Sequence, residues 1–393
     1  MSGVQAVAWT ARPVGPWAVA AVVAAVVVAA VWGIPSAPAD SPGFAAWLGS
    51  YDRVPSFLTW VLADATDAQF HRSALGAALM LAGAGVAHRA YRRGRRWRGF
   101  DVGCGSGLWP WLTASALLGV LAAHLLWGWV VPVTGSWQPL FVAFVSVAPA
   151  VVLCYGPGWP VALTGAALGA GVATPIALLV HNAVCVPLGL SSLVAATTGM
   201  WAGGLAGFAV CRRLPWLPPF ALAPRPERDE AAVAAAERAQ GAGWGLRRML
   251  ADFTEAPFHG NELAGAGLLA GLLIGYLLDP SLAVYGTGLL PQVLAAQLLT
   301  AALSVALWRR QWARKGWYPT FIPIVSVAPA AVLAAGGSAT SVIAGAVAGA
   351  VVAPPLGAAL GARVPAHCHP YVGYVMAMTL CGLTIVPLIG VLA

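Results

Sequence analysis

Residues Trp137–Ala150 read WQPLFVAFVSVAPA, and residues Trp317–Ala330 read WYPTFIPIVSVAPA. Nine of the fourteen positions are identical at an offset of 180, including Trp137/Trp317, Pro139/Pro319, Phe141/Phe321, Ser146/Ser326 and Pro149/Pro329. Apolar composition alone can match Ala and Val by chance, but not Trp, Ser and Pro in register, so the stretch reads as an internal repeat. The repeat extends outward. GAALGAGVATP (Gly165–Pro175) returns as GAVAGAVVAPP (Gly345–Pro355), and LADATDAQFH (Leu62–His71) returns as LADFTEAPFH (Leu250–His259), the latter at an offset of 188. The division this implies is an N-terminal part (1–62), a first copy (63–211), a linker (212–250) and a second copy (251–393).

Hydrophobic residues make up 60% of the chain and charged residues 9%, with a mean hydropathy of +0.79. A soluble surface of this size needs more charge to be wetted, so the expected class is an all-α polytopic membrane protein. At ~20 apolar residues per span, the chain supplies about eleven helices, arranged as one plus five plus five. The net charge of +8 sits in a few loops and reads as topology rather than nucleic-acid binding. The six cysteines show no metal-ligand spacing, so no metal or cofactor is expected. The Ala- and Arg-rich composition, with Lys315 the one lysine, fits a high-GC bacterial genome.

Basic clusters fix the expected orientation. The helix after Ser73 ends in Arg89, Arg92, Arg93, Arg95, Arg96 and Arg98; the linker carries Arg225, Arg228, Arg238, Arg247 and Arg248; and Arg309, Arg310, Arg314 and Lys315 follow Trp308. With the N-terminus cytoplasmic, all of these loops fall inside, as the positive-inside rule requires. Trp17–Ser36 is expected to be a retained first helix, and the location the bacterial inner membrane. Five spans per copy, an odd number, would make the second copy enter from the opposite side. The lipid bilayer and a small solute are then the expected partners, with a homo-oligomer allowed.

Inverted repeats place solute sites near the midplane, often where helices are broken. Pro149, Pro329, Pro175, Pro354 and Pro355 mark candidate breaks, since an interior proline removes a helix hydrogen bond. The expected solute-binding set is therefore Ser146, Pro149, Ser326 and Pro329. Gly165 and Gly345 join it as points of close helix approach, and His124 as an ionisable group inside a span. Asp67/His71 and Glu255/His259 are expected to share helix faces at the mouths of the path, while D-x-x-[DE] before an apolar run is also a helix-capping signature. No carboxylate falls deep in an expected span, which points to passive movement of a neutral or anionic solute. A membrane enzyme built on His124 or the acid–histidine pairs, and a structural subunit, are the alternatives. The arrangement is similar in kind to urea-channel-type proteins, which also join two inverted five-helix units; that likeness rests on helix count and inversion and assigns no residue.

Overall fold

The computed structural model describes residues 43–222 and 227–393, all of them helix, turn or loop. The expected first helix, Trp17–Ser36, lies outside the described residues. The principal helices are α1 (Val54–Ala63), α2 (Ala74–Arg92), α3 (Trp109–Trp127), α4 (Val147–Tyr155), α5 (Trp159–Leu188) and α6 (Ser192–Cys211). They are followed by α7 (Glu230–Ala239), α8 (Ala242–Asp252), α9 (Glu262–Leu278), α10 (Leu290–Leu307), α11 (Val327–Ala334), α12 (Ala339–Gly361) and α13 (Tyr371–Leu392). Six of these, α3, α5, α6, α10, α12 and α13, are long and apolar enough to cross a bilayer, which is consistent with a polytopic membrane protein. The amphipathic α7 falls within the polar linker, begins on an Asp229 side-chain cap and is tied to the 309–315 helix by Arg314 on Glu230 at 2.6 Å.

The stretches that repeat do not form whole spans. Residues 142–155 and 322–334 are each divided at a serine: Ser146 (φ −121°, ψ −112°) and Ser326 (φ −142°, ψ −86°) leave helical geometry. The prolines are not the points of rupture. Pro149 and Pro329 sit in the first turns of α4 and α11, where a missing N–H costs nothing. Elsewhere the helices run past their prolines. In α5, five-residue π turns at Gly169–Ala173 and His181–Cys185 precede Pro175 and Pro187 and absorb the lost hydrogen bonds, while α12 runs through Pro354 and Pro355.

Two antiparallel helix pairs hold the molecule together. α2 packs on α9 so tightly that a Cβ on Gly83, Gly267 or Gly271 would overlap the backbone of Leu263, Leu79 or Leu75 and Gly76, respectively. This contact set maps onto itself: adding 188 to Gly83 and to Leu75 gives Gly271 and Leu263, and adding it to Leu79 gives Gly267. α6 crosses α13 likewise, with Gly204 against Tyr371 and Val372, Gly382 against Leu193 and Val194, and a Thr197–Thr379 hydroxyl bond of 2.7 Å between them. Gly165 and Gly345 prove to be packing positions. Gly165 admits the Ala148 backbone of α4, and Gly345 admits Ala331 of α11.

Candidate functional site

Each repeated D-x-T-[DE] segment follows a short helix and ends in a reversal. Phe70 (φ 65°) and Phe258 (φ 61°), 188 apart, both adopt the left-handed conformation that side chains rarely accept. The reversal breaks the i, i+4 register, so the expected acid–histidine pairs do not form. Buried His71 lies beside Gln297, and His259 Nδ1 accepts from the Trp109 indole at 3.2 Å. Capping also falls to other residues. Ser73 Oγ accepts from Gly76 N, and Asn261 Oδ1 accepts from Leu263 N and Ala264 N. Thr66 and Thr254 tie these caps back by accepting from Ser73 N and Asn261 N.

The acids are held by arginine instead. Arg72 bridges Asp64 and Asp67, both at 2.7 Å, with its guanidinium 4.1 Å from the Trp60 ring centroid. Arg248 bridges Asp252 at 2.9 Å and Glu255 at 2.7 Å, and lies 4.7 Å from the Trp312 ring. The two clusters are alike, yet their arginines are not counterparts. Position 72 corresponds to Gly260, and position 248 to Trp60. Arg72 even keeps the left-handed φ (45°) that suits Gly260 (φ 58°). Holding a non-glycine residue there costs ~1–2 kcal/mol.

Around these clusters the aromatic counterparts behave alike. Trp137 donates its indole N–H to Asp67 Oδ2 at 2.9 Å, and Trp317 donates to Glu255 Oε1 at 3.4 Å. Both tryptophans are wall residues of one cavity. A cavity of about 720 Å³ is lined by Asp67 and Glu255, Ala68 and Ala256, Phe70 and Phe258, Trp137 and Trp317, Phe141 and Phe321, and Val145 and Val325. α6 and α13 complete it through residues such as Ala196, Met200, Tyr374 and Met378. On one side its lining runs out to Lys315 and Glu227, whose exposed side chains pair at 3.7 Å.

The other side differs. There Tyr285 donates its hydroxyl to Asp67 Oδ1 at 2.6 Å, so that both Asp67 oxygens are engaged. The residue corresponding to Tyr285 is Cys104, at an offset of 181, which also lines the cavity. Both bonds drawn to Glu255 fall on Oε1. Cys104 and Tyr285 immediately precede a further repeated segment, GSGLWP (Gly105–Pro110) and GTGLLP (Gly286–Pro291). Its Ser106 and Thr287 hydroxyls make the same turn contacts, to Gly103 O and Val284 O.

The other expected site residues stand apart from the cavity. Ser146 and Ser326 are fully buried, and each hydroxyl donates to its own preceding turn, to Val142 O at 2.5 Å and Ile322 O at 2.6 Å. Pro149, Pro329, Gly165, Gly345, His71, His259 and His124 do not line it either. His124 is nevertheless tied to it. Its Nε2 lies 2.8 Å from Asp64 Oδ2 and its Nδ1 2.8 Å from the Tyr51 hydroxyl, so Tyr51, His124, Asp64, Arg72 and Asp67 form one buried polar chain ending at the cavity wall. Because the serine hydroxyls satisfy backbone carbonyls, Ser146→Ala and Ser326→Ala are expected to cost ~1 kcal/mol of stability each, which thermal unfolding checks.

Compared with known proteins, the chain matches no protein family, no curated protein and no solved structure. The functional reading therefore rests on the geometry of the cavity and the two arginine clusters.

Proposed function

We propose that the chain is a membrane transporter or facilitator for a small solute, with the central cavity as its solute site and the two sequence copies as oppositely oriented halves around it. The observation that carries this is the lining: residues from the two copies that correspond in sequence face the same cavity. An approximate two-fold axis through the cavity, lying in the membrane plane, is the arrangement that serves access from both faces. The self-mapping contact of α2 with α9 supports it, and so does the antiparallel run of those helices; the basic loops would then share the cytoplasmic side.

The axis also sets depth. It passes level with Leu79 and Gly267, the pair that exchanges with itself. Ser73, the cap of α2, is six residues away along that helix, about 9 Å at 1.5 Å per residue. The hydrocarbon layer extends roughly 15 Å either side of its midplane. Asp67 and Glu255 on this reading lie inside that layer, flanking the centre from above and below. They are solute-contacting groups of the pathway rather than mouth residues. On this reading Tyr285, bonded to Asp67, stands on one side of the path and Lys315 on the other.

Proteoliposome uptake tests the proposal, with Ala196→Trp, which fills the cavity from α6, beside wild type and Ser146→Ala. Saturable uptake of a solute by wild type and Ser146→Ala, abolished in a well-folded Ala196→Trp protein, is the expected result. Uptake that survives the cavity-filling substitution would move the path elsewhere.

A further inference from the structure

We infer that the ligand of this cavity is an organic cation with an apolar or aromatic body, for which Glu255 is the counter-ion. The inference rests on the reading of the cavity as a solute site and adds the chemical class. Three observations converge on it. First, each cluster sets two carboxylates against one guanidinium, Asp64 and Asp67 against Arg72, Asp252 and Glu255 against Arg248, and among the described residues only the first has a histidine, His124, as a further partner. With the carboxylates ionised, the Glu255 end of the cavity carries an excess negative charge in a low-dielectric setting, where an unpaired charge is expensive. Lys315, the one lysine or arginine in the described lining beside His369, is paired with Glu227 and adds no net positive charge.

Second, the two acids on the wall are not equally satisfied. Asp67 uses both oxygens on Arg72, Trp137 and Tyr285, whereas among the described residues Glu255 takes Arg248 and Trp317 on Oε1. Third, the surroundings of Glu255 are aromatic. Trp317 and Tyr374 pack at 5.3 Å between centroids, Trp317 and Phe321 at 6.4 Å, and all three rings line the cavity. Aromatic faces attract a desolvated cation and also accept its apolar body, and a cavity of about 720 Å³ holds a molecule of that size. An anion would meet carboxylates at both ends. This departs from the neutral or anionic solute expected from the sequence, an expectation that rested on finding no carboxylate within a span.

The test is equilibrium binding by titration calorimetry on the full-length protein in detergent, with benzyltrimethylammonium as the cation and 4-tert-butylbenzoate as an anion of similar size. Saturable binding of the cation and not the anion is expected, weakened about tenfold by Glu255→Gln and severalfold by Trp317→Leu. Glu255→Gln leaves Arg248 paired with Asp252 and is expected to fold; if it does not, Trp317→Leu and Phe321→Leu carry the test. Equal or tighter binding of the anion would overturn the inference. So would no binding of the cation, or cation binding indifferent to these substitutions. Cation binding without uptake in proteoliposomes would instead overturn the transport reading and leave this one. Cavity-dependent uptake of an anion alone would do the reverse.

Discussion

Arg248→Ala is expected to be among the most damaging single substitutions in the chain, costing about 3–5 kcal/mol. That is the usual penalty for leaving a buried charge without its partner, and here two carboxylates, Asp252 and Glu255, lose the same guanidinium. Arg72→Ala is expected to do the same to Asp64 and Asp67. Both would appear as loss of monodisperse protein in detergent and a large fall in melting temperature. Neutralising the acids should rescue: Arg248→Leu combined with Asp252→Asn and Glu255→Gln is expected to regain most of the loss. The correspondence between the copies supplies a sharper rescue. Trp60 occupies the position of Arg248 and Arg72 the position of Gly260. The double substitution Trp60→Arg/Arg72→Gly therefore transplants the second cluster's wiring into the first, and is expected to be more stable than Arg72→Gly alone. A double variant no better than the single would show that the two clusters are built on different backbones.

Gly267→Leu is the second large effect expected. Gly267 faces Leu79 at the centre of the α2–α9 contact, and even a Cβ there would overlap the Leu79 carbonyl. The obstruction is helix backbone, which cannot rotate away as a side chain can, so the helices must separate. Overpacking of this kind costs about 1–3 kcal/mol or more, and here it also moves the walls of the cavity. The expected outcome is a lower melting temperature together with lost solute uptake. Gly171→Ala, where an added Cβ meets nothing within 4 Å, is the control expected to change neither.

The all-helical fold and its long apolar helices were legible in the composition, and the interruption of the 137–155 and 317–335 stretches in the Ser and Pro that recur there in register. The sequence misdirected attention within those segments. Ser146 and Ser326 were singled out as polar groups at a break, but a serine at a break has freed carbonyls within its own turn, and both hydroxyls take them. Trp137 and Trp317 carry no mark in the sequence that sets them on a cavity, because interfacial and cavity positions share the same chemistry; only the fold shows their indoles on Asp67 and Glu255. The acids themselves read as helix caps or acid–histidine pairs. That reading fails at Phe70 and Phe258, whose left-handed backbone no periodicity reveals. Arg72 and Arg248 stayed hidden for a related reason. Comparing copies favours positions that match, and each arginine is opposite an unlike residue. The segment GSGLWP/GTGLLP was legible in the sequence and would have led to Tyr285 and Cys104.

The most direct measurement of the account is the sidedness of one corresponding pair. Ser136 and Gly316, 180 apart, both lie exposed immediately before the repeated Trp137 and Trp317. Ser136→Cys and Gly316→Cys, each in a background with Cys104 replaced by Ser, would be labelled in intact cells with a membrane-impermeant maleimide, before and after permeabilisation. Inverted halves around the cavity predict that Cys at 136 reacts from outside and Cys at 316 only after permeabilisation. Labelling of both from the same side would contradict the inversion, and with it the two-sided cavity on which the transport reading stands.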